Sequence, residues 1–366
     1  MAYDQYSVVD CDGHVWESIP EFAEFMTPGM RQRVLKPSRN RQGAFPSLDG
    51  FHFGLDAAED NEVRKREPAS PTARTGSGED WVAFLERARV EHSVMFTSEG
   101  LSVGFIQRPQ YAVAICRAYN DYVHERYAKV SDRLHPMALI PMQDPKEAVK
   151  ELRRAVTELG LPGAMIPSTG LPLHLGHEYY WPIYKAALEL DCALGVHGGS
   201  NKGSGLDTFT NFTGSHVLHH SIPLMNALVS FIFHGVYDTF PGIRFSFMEG
   251  GCGWLAFLLD RMERDENYFD PIDRPMKKSI EYLQGGRILI GCEGSEKSLA
   301  YVASRIGIEA FAYASDYPHE VDLPAAIHEI DEVAERDDLT PAEKQAVLGD
   351  NACKFFKIPA SQVARA

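Results

Sequence analysis

The feature that most constrains this chain is a recurrence: eight short, continuously apolar runs separated by segments with helical spacing. The runs are residues 7–12 (SVVDCD), 93–98 (SVMFTS), 136–141 (PMALIP), 163–168 (GAMIPS), 193–198 (ALGVHG), 243–249 (IRFSFME), 287–293 (RILIGCE) and 311–316 (FAYASD). A strand that is apolar on both faces must be covered on both faces, which a parallel sheet wrapped in helices provides. Segments 111–127, 145–159 and 181–190 carry apolar residues at three- and four-residue spacing, the mark of a helix with one buried face. Asp144-Pro145 opens the second of these, and Gly160 and Pro162 close it. Further helices are expected over 222–240, 323–335 and 341–348. Eight such alternations predict an α/β fold, the (β/α)8 TIM barrel, whose usual length is about 250 residues.

The chain has 366 residues, and most of the excess falls between positions 13 and 92, in a stretch rich in Arg, Gly, Pro and Asp. That stretch leaves the C-terminal end of the first strand, the functional face of such a barrel, so a lid over the site is expected, with a flexible linker as the alternative. Residues 1–366 are expected to form a single barrel domain carrying this insertion. With 36 Lys+Arg against 51 Asp+Glu the net charge is −15, which gives no attraction for nucleic acid or an anionic membrane surface. No run approaches the roughly 20 apolar residues of a membrane span, and the opening MAYDQYSVVD lacks a signal-peptide pattern. Six scattered cysteines without a CxxC pair read as buried, reduced thiols. A cytoplasmic protein is expected.

In a barrel of this kind, chemistry belongs at the C-terminal ends of the strands. The first strand ends in Asp12-Gly13-His14, whose two polar side chains share a face because they are two residues apart. Glu17 follows where the chain turns over the rim. The fifth strand ends in His197, the sixth in Glu249, the seventh in Glu293 and the eighth in Asp316, followed by Tyr317-Pro318-His319. A single strand-end His or Glu is usually a polar cap; five on one rim point to a metal. Of the histidines near the fifth helix, His219 or His220 at its start can approach the rim, whereas His234 lies roughly 21 Å further along and reads as structural. The glycines after His197 and Glu249 belong to no nucleotide loop and suit close backbone approach beside a metal.

The runs VVDCDGHVWE, GVHGG, FPGIRFSFMEGGCGW and ASDYPH, in this order, resemble the amidohydrolase superfamily. Within it they are most similar to the amidohydrolase-2 group that includes aminocarboxymuconate-semialdehyde and γ-resorcylate decarboxylases. The resemblance covers about residues 7–320 and omits the lid. It implies a metal held by Asp12, His14, His197 and Asp316. It also favours His220 among the rim histidines. The chain departs from the decarboxylase pattern at Glu249, where those enzymes commonly carry histidine, and in the carboxylate-rich first motif.

Adding His220, Glu17 and Glu249 makes seven donors: Asp12, His14, Glu17, His197, His220, Glu249 and Asp316. Seven exceed what one catalytic ion takes, and suit two ions with a bridging carboxylate. An oxygen-rich set with imidazole and no thiolate favours iron or manganese. The set resembles an oxygenase-like branch of the superfamily whose dinuclear Fe or Fe–Mn centres activate O2. The leading expectation is therefore O2-dependent oxidation of a small carboxylated or amino-acid-like substrate, with Glu17 or Glu249 bridging the metals. The alternative is a one-metal Zn or Mn hydrolase or non-oxidative decarboxylase, in which Glu17 only accepts a hydrogen bond from a loop, His220 orients substrate, and Asp316 or Glu249 moves the proton. Glu293 is expected either to fix a ligand histidine or to cap its strand, and His319 to contact substrate or Asp316. Barrels of this type often pair, so a homo- or hetero-oligomer is expected.

Overall fold

In a computed structural model of the chain, residues 2–35, 44–46, 77–199, 204–206, 209, 212–269, 275–319 and 321–359 are described, and each of the eight apolar runs contributes to the sheet. The strands are β1 (Val9–Val15), β2 (His92–Thr97), β3 (Leu134–Pro136), β4 (Ala138–Leu139), β5 (Gly163–Pro167), β6 (Ala193–His197), β7 (Arg244–Met248), β8 (Ile288–Cys292) and β9 (Phe311–Tyr313). All pairings are parallel and follow chain order, β1-β2-β3 in one ladder and β4 to β9 in the other. The two ladders meet twice. β3 and β4 are one crossing strand, broken beside Pro136, which has no N–H to donate; Met137 N–H still bonds Met95 O at 2.8 Å. At the other seam Asp316 N–H donates to Asp12 O at 2.9 Å and His14 N–H to Tyr317 O at 2.8 Å. The result is the expected (β/α)8 barrel, with the strand interiors buried throughout.

The helix signals translate locally. Asp144 accepts from Lys146 and Glu147 N–H to cap Pro145–Thr157, and Thr340 forms a capping box with Glu343. One helix is shorter than its apolar run: the stretch expected to continue to residue 240 stops at Phe233, because Gly235 takes a left-handed φ of 73°, and a separate turn follows over Val236–Thr239. Thr213–Phe233 is long and apolar enough by length and composition to cross a membrane; here Leu224, Leu228, Phe231 and Ile232 are buried in the barrel's core.

The 13–92 stretch is not all insertion. Gly78–Ala88 is a helix burying Trp81, Phe84 and Leu85; Trp81 Nε1 donates to His14 O at 3.2 Å and Phe84 stacks on Tyr317 at 3.7 Å. This helix is part of the barrel's core. Residues 36–43 and 47–76, where most of the expected lid falls, lie outside the described residues. Between them Phe45 stacks on Phe22, and Pro46 O accepts from Ser102 Oγ at 2.6 Å.

Candidate metal centre

The barrel brings Asp12, His14, His197, Glu249, Asp316 and His319 to one mouth. His14 Nε2 lies 3.6 Å from Asp12 Oδ1 and 3.2 Å from Asp316 Oδ1. His197 Nε2 is 3.2 Å from the same Asp12 oxygen. His319 Nδ1 is 2.8 Å from Asp316 Oδ1, while its Nε2 is hydrogen-bonded to Ser98 Oγ at 2.9 Å and its ring lies over His14 at 3.9 Å. Glu249 Oε2 stands between two imidazoles, 3.4 Å from His197 Nδ1 and 3.2 Å from His220 Nδ1. Asp12–His14–His197 and His14–Asp316–His319 each converge with metal-ligand spacing, and His14 is common to both.

Backbone geometry aims these groups. Glu249 and Asp316 both sit at positive φ, 61° and 53°, a conformation that costs a side-chain-bearing residue about 1 kcal/mol or more and collects at functional sites. Gly198 is forced by proximity: a Cβ there would stand 2.5 Å from His220 Nδ1.

Electrostatically the mouth is short of positive charge. Among the described residues only histidines form ion pairs with Asp12, Glu249 and Asp316; no lysine or arginine does. Asp12 Oδ2, His14 Nε2, Glu249 Oε2 and Asp316 Oδ1 are buried without a hydrogen-bond partner. Burial pushes the Asp12 carboxyl up, and the Asp316 carboxyl well up. Burial also holds His14 well below the usual imidazole range, helped by His319 and His197. For His197 burial pulls down but Asp12 outweighs it, raising the ring to about 9. At Glu249 burial pulls up, and His220 and His197 hold the carboxyl well below its usual range. The orphaned atoms of Asp12, His14 and Asp316 belong to the two groups that converge with metal-ligand spacing, and they fit a divalent cation.

Two sequence-predicted residues, Glu17 and Glu293, stand elsewhere, and His220 reaches the mouth at Glu249. Both Glu17 oxygens are engaged by the loop after β2: Thr97 Oγ1 donates to one, and Ser98 and Glu99 N–H to the other at 3.3 and 3.0 Å. Glu293 is exposed, its N–H bonded to Glu296 Oε1, and its charged neighbours are Glu296 and Glu332 rather than the mouth histidines. His220 meets Glu249, but its other ring nitrogen contacts His219. His234 stacks on His174 at 4.0 Å.

Sequence reasoning missed Asp10, Ser98 and Ser315. Asp10 is fully buried and accepts from Asp12 N–H (3.1 Å), Ser315 N–H (3.0 Å), Ser93 Oγ (2.9 Å) and Ser315 Oγ (3.0 Å), lacing β1, β2 and the segment after β9. Its place two residues before Asp12 was a usable signal; Ser98 and Ser315 carried none. A cavity of 780 Å³ opens between Gly104–Pro109, Pro167–Leu175 and Pro223–Ala227 of the helix Ser221–Phe233; Ser168 in its wall donates its N–H to His197 O, and among the described residues no Asp, Glu, Lys or Arg lines it.

A family profile described as Amidohydrolase (Amidohydro_2) matches residues 9–358, and the chain belongs to that family. A 2-amino-3-carboxymuconate-6-semialdehyde decarboxylase from Dictyostelium discoideum is 25% identical over 278 residues, covering 74% of each chain. A γ-resorcylate decarboxylase from Polaromonas sp. is 23% identical over 263 residues, covering 66% of this chain and 76% of its own. Among solved structures, an amidohydrolase from Mycobacterium avium subsp. paratuberculosis superposes with a TM-score of 0.76 at 18% identity, covering 98% of this chain and 99% of its own. A 5-carboxyvanillate decarboxylase from Novosphingobium aromaticivorans, complexed with manganese, reaches 0.70 at 19% identity and 97% coverage of both chains. Three of these four are named for decarboxylation, the alternative of the sequence reading; none is named for oxidation with O2, its leading expectation.

Proposed function

We propose that this member of the amidohydrolase family is a one-metal, non-oxidative decarboxylase of small aromatic carboxylates, working in the cytoplasm. The observation that carries this reading is the set of orphaned donors at the mouth, three carboxylates and their histidines with no lysine or arginine among their partners in the described residues. Asp12, His14, His197 and Asp316 would hold manganese or zinc there. Bound, the metal supplies Lewis-acid polarisation of a substrate oxygen. A two-metal centre bridged by Glu17 is the less favoured reading, because both oxygens of that carboxylate already accept from the 97–99 loop.

The chain's own residues do the rest. His197 Nδ1 is hydrogen-bonded to Gly198 O at 2.8 Å, which orients the ring that faces Asp12, and Glu249 lies 3.4 Å from the same nitrogen. Glu17 pins the loop that carries Ser98, and Ser98 holds His319 beside Asp316. His319 delivers a proton to the ring carbon that bears the carboxylate; the carbon–carboxylate bond then breaks, its electron pair stays on the ring and CO2 leaves. His319 is reprotonated from water at the rim. The cavity lined by Pro167–Leu175 takes the uncharged part of the substrate.

The test is turnover of hydroxylated benzoates by manganese- or zinc-loaded protein, followed by CO2 release under argon and in air. Equal rates with and without O2, and one deuterium at the vacated carbon in D2O, are expected. His319→Asn should keep the metal and lower kcat about 100-fold or more. Turnover that requires O2, or hydrolysis without CO2, overturns the reading.

A further inference from the structure

A second group of imidazoles stands on the far side of Glu249. His216, His219 and His220 occupy the last turn of the helix Phe212–His219 and the residue after it. At spacings of three and four residues their rings gather on one side. One ring nitrogen from each lies within 4.8 Å of the others. Ring centroids are 3.8 Å apart for His219–His220, 4.6 Å for His216–His219 and 5.4 Å for His216–His220. His219 and His220 are each 8% exposed, their Nε2 atoms face each other directly, and His219 Nδ1 is buried without a hydrogen-bond partner.

When the facing Nε2 atoms of His219 and His220 both present lone pairs they repel, and a cation between them turns that repulsion into coordination, with His216 within reach as a third donor. On its other side His220 Nδ1 lies 3.2 Å from Glu249 Oε2, and both atoms are buried without a hydrogen-bond partner. The same oxygen is 3.4 Å from His197 Nδ1.

We propose that His216, His219 and His220 form a second transition-metal site, separate from the barrel mouth, with Glu249 standing between the two. Three imidazoles without thiolate select zinc, cobalt, nickel or copper over magnesium or calcium, and leave a coordination position for water. This inference concerns binding alone and is read without substrate, so it stands or falls independently of the decarboxylase reading.

The test uses the full-length protein, stripped with chelator, reloaded with Zn(II) or Co(II), desalted and assayed by mass spectrometry. About two ions per wild-type chain are expected, about one in H216A/H219A, about one in D316N and about none in the combined variant. The cobalt d–d absorption of the imidazole site should vanish in H216A/H219A and persist in D316N. One ion in both wild type and H216A/H219A means that the trio holds nothing, and overturns the proposal. One ion in wild type and none in H216A/H219A means that the trio belongs to the mouth site, and overturns it equally. If the double variant fails to fold, as judged by circular dichroism, His216→Asn at its half-buried position should weaken the second Zn(II) equivalent about tenfold or more, and unchanged affinity overturns the proposal.

Discussion

Replacing Asp316 by asparagine should change stability in opposite directions with and without metal. His14 Nε2 lies between Asp12 Oδ1 at 3.6 Å and Asp316 Oδ1 at 3.2 Å, so the two carboxylate oxygens are within about 7 Å of each other. At an effective dielectric of about 20, two unit charges at that distance repel by ~2 kcal/mol. Burial has also pushed the Asp316 carboxyl well up. A carboxyl raised in the folded state contributes stability that is complete below its unfolded value near 3.9 and is lost as pH rises through the folded value. In chelator-treated protein D316N should therefore be more stable than wild type by ~2 kcal/mol at pH 8, with the gap closing toward pH 4. With manganese or zinc present the order should reverse, because wild type gains RT ln(1 + [M]/Kd) from the ion and the variant has lost a charged ligand. Urea denaturation at pH 4, 6 and 8, with chelator and with metal, measures both arms. A metal-free variant less stable than metal-free wild type at pH 8 would refute the idea that these carboxylates are a cation site awaiting compensation.

Three further outcomes follow from the geometry. Asp10→Ala strands two buried backbone N–H groups and two hydroxyls, so it should cost about 3 kcal/mol or more in chemical denaturation and lower metal content; wild-type stability in D10A would show that the lacing of β1 to the segment after β9 is incidental. Glu17→Ala should loosen the 97–99 loop at a cost of ~2 kcal/mol while the mouth metal stays, whereas loss of a metal ion would restore the bridging role expected from the sequence. His135, lowered to about 4 by burial and by His92 at 3.0 Å, resists protonation only when folded. Its contribution is complete above pH 6.5 and is lost as pH falls toward 4, by up to ~3 kcal/mol; His135→Gln should flatten that part of the stability–pH curve, and an unchanged curve would exclude the pair as its source.

Most of the fold was legible along the chain because it depends on short-range pattern. Eight runs apolar on both faces allow only a covered parallel sheet, and their spacing by amphipathic helices leaves little besides a barrel. The strand-end residues Asp12, His14, His197, Glu249 and Asp316 followed from the same logic, since side-chain alternation places them on one rim before any contact is known. What the sequence could not decide was how that rim closes. Glu17 and His220 have the composition of ligands, yet Glu17 turns to the backbone of the β2 loop and His220 divides its two nitrogens between Glu249 and His219. Those choices depend on hydrogen-bond partners some 80 residues away in one case and on the break between two helices in the other. The same holds for Asp10, whose four donors come from three separate segments. Residue type and period therefore determine which groups arrive at the mouth; only the packed barrel, by setting which buried donor each carboxylate meets, decides which of them are left for a metal.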